Sequence, residues 1–151
     1  MKSFHKSWVL AAILVAALAT VLAPGAAAQM GSVSGSIIAV RRLAALGATT
    51  VVSGHGPITG PEIFEQTLRY LRWVQALAAE GRSRGLTPLA TALEADHGEF
   101  VELVDDERLV GNLYRADAEW AGGPLGEPLD VLAIFEEMIL YNQGQVPTCL
   151  A

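Results

Sequence analysis

The sequence predicts an α/β fragment that is mostly helical, with a helix–strand–helix unit followed by a C-terminal helical extension. Two observations lead to this fold class. Apolar residues recur at helical spacing through most of the chain after residue 30. Only one run, from Thr49 to Ser53, is β-branched and uncharged over the length of a strand. With 151 residues, the chain is the size of one domain.

The first 28 residues predict a secretory signal peptide. Lys2 and Lys6 precede an apolar run over residues 8–22, and the segment closes with small residues ending at Ala28. We expect cleavage there, which takes 28 residues from 151 and leaves 123, and a secreted or periplasmic location. The alternative is a membrane anchor through residues 8–22, a run shorter than the ~20 residues that a membrane-spanning helix needs.

The net charge argues against a nucleic-acid partner. The formal charge is −6, and it becomes −8 once the leader, with its two lysines and no acidic residue, is removed. Such a surface repels phosphate backbones, and we expect no membrane contact after cleavage. The single cysteine, Cys149, has no partner for an internal disulfide and is interpreted as a packing residue.

The predicted helix–strand unit begins the mature chain. A helix over residues 34–46 places Ile37, Val40 and Ala44 on one face, and Gly47 supplies its C-terminal stop. The run from Thr49 to Ser53 carries no charge, so we expect a strand buried on both faces.

Four further helices follow. The first opens at Gly60-Pro61-Glu62 and ends in the glycine-rich residues 81–85. The second runs from Thr87-Pro88 to about Asp96, the third over residues 105–120 and the last over residues 129–141, after a turn-rich loop. The residues expected on the apolar faces are Phe64, Leu68, Leu71, Val74 and Ala78 in the first, Leu109, Leu113 and Trp120 in the third, and Leu132, Phe135 and Ile139 in the last.

A Gly54-His55-Gly56-Pro57 turn stands at the carboxyl end of the predicted strand, where functional loops emerge in α/β layers. The two glycines allow unusual backbone angles, and Pro57 stiffens the exit of the turn. Three interpretations compete. The turn is structural with an incidental histidine; or residues 54–60, G-x-G-x-x-x-G, bind phosphate, although Pro57 lacks an N–H to donate; or His55 is a metal ligand.

The segment from Met30 to Gly60, with its strand running into G-H-G-P, resembles the C-terminal part of metallo-β-lactamase-fold hydrolases. The helical remainder, including residues 107–120, is similar to a C-terminal extension in some bacterial members. The resemblance implies that His55 is a ligand to an active-site metal, commonly zinc, on a loop supported by Gly54, Gly56 and Pro57. It also implies that residues 29–121 are the C-terminal part of a metallo-β-lactamase-like domain, an incomplete αββα sandwich, and that residues 122–151 add a loop and a C-terminal helix. Ser53 stands where proline is frequent in the family.

The family's H-x-H-x-D-H motif, a further histidine and a bridging aspartate do not occur in this sequence. The chain has only His5, His55 and His97, whereas a hydrolytic zinc needs three protein ligands and a water. His55 would be helped at best by Asp96 and His97 or by a carboxylate such as Glu62, and His97 is interpreted as a solvent-side residue at a helix end. No catalytic residue is assigned.

Two functions therefore stay open. The first is a truncated metallo-β-lactamase-fold hydrolase, inactive alone, whose intact relatives use metal-activated water on an ester, thioester or lactam carbonyl. The second is an exported helical partner-binding module with no catalytic role. This module would bind through the apolar surface that the absent half would have covered, which we expect near Val51 and Val52 if they lack a sheet partner; such a surface suits a homo-oligomer or a complementing chain.

Overall fold

A computed structural model of the chain describes residues 31–53 and 56–147. The predicted signal peptide, Gly54, His55 and Cys149 lie outside the described residues. The described part is mostly helical, as predicted, and its elements are α1 (Val33–Ala44), β1 (Val51–Val52), β2 (Ile58–Thr59), α2 (Glu62–Ser83), α3 (Pro88–Glu94), a 3₁₀ turn (Gly98–Phe100), α4 (Arg108–Trp120) and α5 (Val131–Tyr141).

Helix α4 is the centre of the bundle, since it packs against each of the other four helices. Leu113 and Val110 of α4 are fully buried, and they lie in one cluster with Val74 of α2. The rest of the cluster comes from α1, α2, α3 and α4, and comprises Val33, Ala78, Ala92, Leu109 and Ala116. The predicted apolar face of α2 is therefore confirmed.

Local capping explains where three helices begin. The Ser32 hydroxyl accepts a hydrogen bond from the Gly35 N–H at 2.9 Å, and the Thr87 hydroxyl accepts one from the Ala90 N–H at 3.1 Å. Asp130 caps α5 in the same way. At the other end of α1, Gly47 has φ +70°, the left-handed backbone conformation predicted for its stop signal.

A second cap at the start of α1 comes from the far end of α4. The Glu119 carboxylate accepts hydrogen bonds from the backbone N–H groups of Val33 at 2.6 Å and Ser34 at 3.0 Å. Burial by itself raises the pKa of Glu119, but the hydrogen bonds from Ser34, Val33 and Ser32 outweigh it and lower the pKa below its ordinary value. The carboxylate thus satisfies two helix N–H groups and complements the helix dipole.

The predicted burial of two helices needs correction. Trp120, expected to point inward, is 61% exposed, because it ends α4 beyond the last core residue, Ala116. In α5 the expected Leu132 and Phe135 are exposed, and Ile134 is buried instead.

The packing of α5 against α4 explains this rotation. At Gly111 of α4, a side-chain methyl group would lie 3.7 Å from Ile134 Cγ2 and 3.7 Å from Met138 Sδ. Ile134 and Met138 are thus the α5 residues nearest to α4 at this point, and the spacing of residues 134, 138 and 141 defines the inner face of α5.

The expected buried strand is also wrong. Val51–Val52 pairs antiparallel with Ile58–Thr59 in a two-stranded sheet, and Val52 is 73% exposed. The chain folds back directly after the G-H-G-P turn, so the β-branched run pairs with its own continuation. Within the described residues, this hairpin has no extensive contact with any helix. None of the helices in residues 31–53 and 56–147 is long and apolar enough to cross a membrane.

Candidate functional site

The G-H-G-P sequence lies between the two strands of the β1–β2 hairpin. Val52 is paired with Ile58, and Val51 with Thr59. The Ser53 hydroxyl donates to the Pro57 carbonyl at 3.4 Å across the base of the loop. Ser53 thus helps to close the loop.

Gly56 has the backbone freedom that was predicted for it. Its φ is +122°, in a region that residues with a side chain rarely adopt, and an added methyl group would lie 3.3 Å from the Ser53 hydroxyl. The loop therefore needs glycine at this position. Gly54 and His55 fall between the described residues Ser53 and Gly56, so the proposed metal role of His55 stays a prediction.

Two β-branched side chains form an exposed apolar pair on one face of the hairpin. Residues directly opposite each other in an antiparallel pair point to the same face. Val52 and Ile58 are such a pair, and they are 73% and 69% exposed. The apolar surface expected near Val52 is therefore present, although it belongs to a hairpin rather than to an uncovered buried strand.

The carboxylate and imidazole considered as helpers of His55 have other partners. The Glu62 carboxylate accepts a hydrogen bond from the Gly60 N–H at 2.8 Å, within the turn that starts α2. His97 is half-buried rather than solvent-side, with Nε2 3.2 Å from the Tyr141 hydroxyl. Among the described residues, no three His, Cys, Asp or Glu side chains lie close enough to hold a metal ion. These residues alone do not fit a zinc site.

A second candidate site, the aromatic cleft, lies where α2 faces the 3₁₀ turn and the start of α4. Its walls are Tyr70, Trp73 and Phe100, and the three rings are mutual neighbours with centroids 5.0–5.7 Å apart. His97 adds a fourth ring, 5.7 Å from Trp73. The cleft has a volume of about 230 Å³.

Polar groups fix the walls and the rim of the aromatic cleft. The Asn112 amide donates to the Tyr70 hydroxyl at 2.9 Å, and the Tyr141 hydroxyl, already close to His97, lies 3.5 Å from an Asp106 carboxylate oxygen. Burial raises the pKa of Tyr70, and the Asn112 hydrogen bond only partly opposes it. Burial also raises the pKa of Tyr141, with a further contribution from the negative charge of Asp106. Both tyrosines stay neutral hydroxyls at physiological pH.

Sequence reasoning did not find the aromatic cleft. Its one local signal is the pair Tyr70 and Trp73, which are three residues apart and therefore share a helix face. The other residues come from separate elements, and only the folded chain places them together.

A scan against protein-family models and searches of curated proteins and of solved structures found no match to this chain.

Proposed function

We propose that this chain is a C-terminal portion of a metallo-β-lactamase-fold hydrolase that works only together with a polypeptide supplying the other metal ligands. In this proposal the β1–β2 hairpin docks on the partner's sheet, and His55 contributes one imidazole to a shared zinc site. The observation that carries the proposal is the exposed Val52–Ile58 pair beside the G-H-G-P turn.

An isolated hairpin of this size is a weak structure. Each strand has two residues, no other strand among the described residues pairs with either edge of the sheet, and two-stranded hairpins are marginal in water without a covering layer. A partner strand added at an edge would hydrogen-bond the free backbone groups, and the partner's side chains would cover Val52 and Ile58. A complementing sheet therefore suits both the open edges and the apolar pair.

The free energy gained by burying Val52 and Ile58 is only part of what a stable complex needs. Complete burial of a valine or isoleucine side chain stabilises by ~1.5–3 kcal/mol, so covering the exposed part of both gives about 2–4 kcal/mol. A micromolar complex needs about 8 kcal/mol after the entropic cost of association. The pair is thus a specific anchor, and the remaining affinity has to come from edge hydrogen bonds and further apolar contacts.

Calorimetric zinc titration tests the shared site. The 151-residue chain is titrated alone and then with a polypeptide carrying the H-x-H-x-D-H half of a metallo-β-lactamase-fold hydrolase. We expect no tight binding by the chain alone, and stoichiometric binding below ~1 μM in the mixture. His55→Ala should abolish the additional binding, while the matched His97→Ala should keep it. Equal zinc binding by the chain with His55→Ala would contradict the proposal.

The second candidate is an exported partner-binding module without catalysis, and it is supported by the same exposed Val52–Ile58 pair. It uses the same hairpin surface, so the two candidates are separated by whether association depends on zinc and on His55. Val52→Ser combined with Ile58→Ser should weaken either complex at least tenfold. The matched Leu93→Ser, at a residue 63% exposed on α3, should not. Association that ignores both zinc and His55→Ala identifies the non-catalytic module.

A further inference from the structure

We propose that the aromatic cleft binds a small organic cation, an ammonium group bearing methyl or other short alkyl substituents. The walls carry the first argument. Aromatic faces attract cations through the ring quadrupole, tryptophan most strongly, and several rings around one space form the usual receptor for quaternary ammonium groups. Tyr70, Trp73 and Phe100 all line this cleft and meet at angles of 42–83° rather than in a parallel stack. The rings pack against one another with centroids 5.0–5.7 Å apart, so a bound cation lies against the open side of this aromatic cluster and not between the rings.

The negative charge of the cleft lining also favours a cationic ligand. Asp105, Asp106 and Arg108 line the cleft, so the lining has one more negative than positive charge. Asp105 is paired with Arg108 at 3.5 Å, whereas Asp106 is exposed, with a carboxylate oxygen 3.5 Å from the Tyr141 hydroxyl. Asp106 is thus the carboxylate that can face a bound cation. The net charge of −6 favours the approach of the same class of ligand.

The volume of the cleft and its apolar lining limit the class of ligand that it can bind. Pockets for drug-sized molecules have volumes of roughly 300–1,000 Å³, so a cleft of about 230 Å³ accommodates a headgroup rather than a nucleotide cofactor. Leu103 and Val104 line the cleft and are 50% and 69% exposed, which provides apolar contact for alkyl substituents. The neighbouring cleft behind Tyr70 is larger, about 440 Å³, but it contains the Arg69–Glu99 ion pair and so already has a cation.

Titration calorimetry with choline tests the site, using the 151-residue chain. We expect saturable binding with a dissociation constant on the order of 1 mM, competed by tetramethylammonium. The neutral carbon analogue 3,3-dimethyl-1-butanol has nearly the same shape, and it should bind about tenfold more weakly if the positive charge is recognised.

Two pairs of variants locate the binding. Trp73→Leu should weaken choline binding about tenfold, and Trp120→Phe, at an exposed tryptophan outside the cleft, should leave it unchanged. Trp73 also packs against the core, so a second variant, Asp106→Asn, keeps the shape of the cleft and removes only a charge. This variant should weaken choline binding several-fold. Glu102→Gln makes the same change of charge outside the lining of the cleft and should leave binding unchanged. No saturation up to roughly 50 mM choline, equal affinity for the neutral analogue, or unchanged binding by Asp106→Asn would overturn the proposal.

Discussion

The cap that Glu119 places on helix α1 leads to a prediction of stability that can be worked from the structure. Replacing Glu119 with glutamine keeps the shape but removes the charge and one of the two acceptor oxygens. In the wild-type chain the Glu119 carboxylate accepts hydrogen bonds from two backbone N–H groups, at 2.6 and 3.0 Å. The amide can accept only one of them, and its NH₂ group opposes the other. Loss of one hydrogen bond costs about 1–1.5 kcal/mol, and loss of the charge at the helix N-terminus a further 0.3–1 kcal/mol or so.

We therefore expect Glu119→Gln to lower the free energy of unfolding by about 2 kcal/mol. Urea unfolding followed by circular dichroism should show a midpoint lower by ~1 M, and thermal unfolding a Tm lower by roughly 8 °C. The matched control is Glu136→Gln, an exposed glutamate on α5 whose replacement should change stability by less than ~0.5 kcal/mol.

The pH dependence gives a sharper test of the same contact. The pKa of Glu119 is lowered in the folded chain, so its stabilisation is present above the unfolded value of about 4.3 and is lost as the pH falls through the lower folded value. The difference between the wild-type chain and Glu119→Gln should be full near neutral pH and shrink below about pH 4. Equal stability at neutral pH, or a difference that stays constant down to about pH 3, would refute the capping argument.

Two further comparisons test the packing of the bundle by urea unfolding. Gly81→Ala should destabilise by about 1–3 kcal/mol, because the added methyl group would lie 2.8 Å from Thr91 Cγ2. Gly111→Ala meets only ordinary contacts and should stabilise by up to ~1 kcal/mol through helix propensity. The opposite order of stabilities would contradict the packing of α3 and α5. Leu113→Ala, at a residue 1% exposed, should cost about 2–5 kcal/mol, and Leu132→Ala, at a residue 78% exposed, less than ~0.5 kcal/mol; similar losses for both would mean that α5 turns its other face to the core.

The sequence predicts those features that depend on neighbours along the chain. The face of α2 with Leu68, Val74 and Ala78 follows from helical periodicity, and the start of α3 follows from Thr87 as a cap. These signals need no knowledge of the rest of the fold, and the structure agrees with them.

Features that depend on distant partners were not predictable. The run from Thr49 to Ser53 is as suitable for an exposed hairpin as for a buried strand, because its burial depends on which other strands are present. The inner face of α5 depends on how the helix packs against α4, and its hydrophobic pattern alone did not select Ile134. For the candidate sites, local motifs pointed to the hairpin turn, whereas the aromatic cleft required residues up to 44 positions apart to meet.

The long-range cap has a consequence for the order in which the molecule matures. Glu119 is 86 positions after Val33, and ribosomes add roughly 5–20 residues per second, so α1 waits about 4–17 s after its own synthesis for its distant acceptor. A helix forms in microseconds or less, so the delay is set by translation and not by local conformational search. Helix α1 is therefore synthesised well before its second cap, and a nascent chain stalled before residue 119 lacks the hydrogen bonds that Glu119 supplies to Val33 and Ser34.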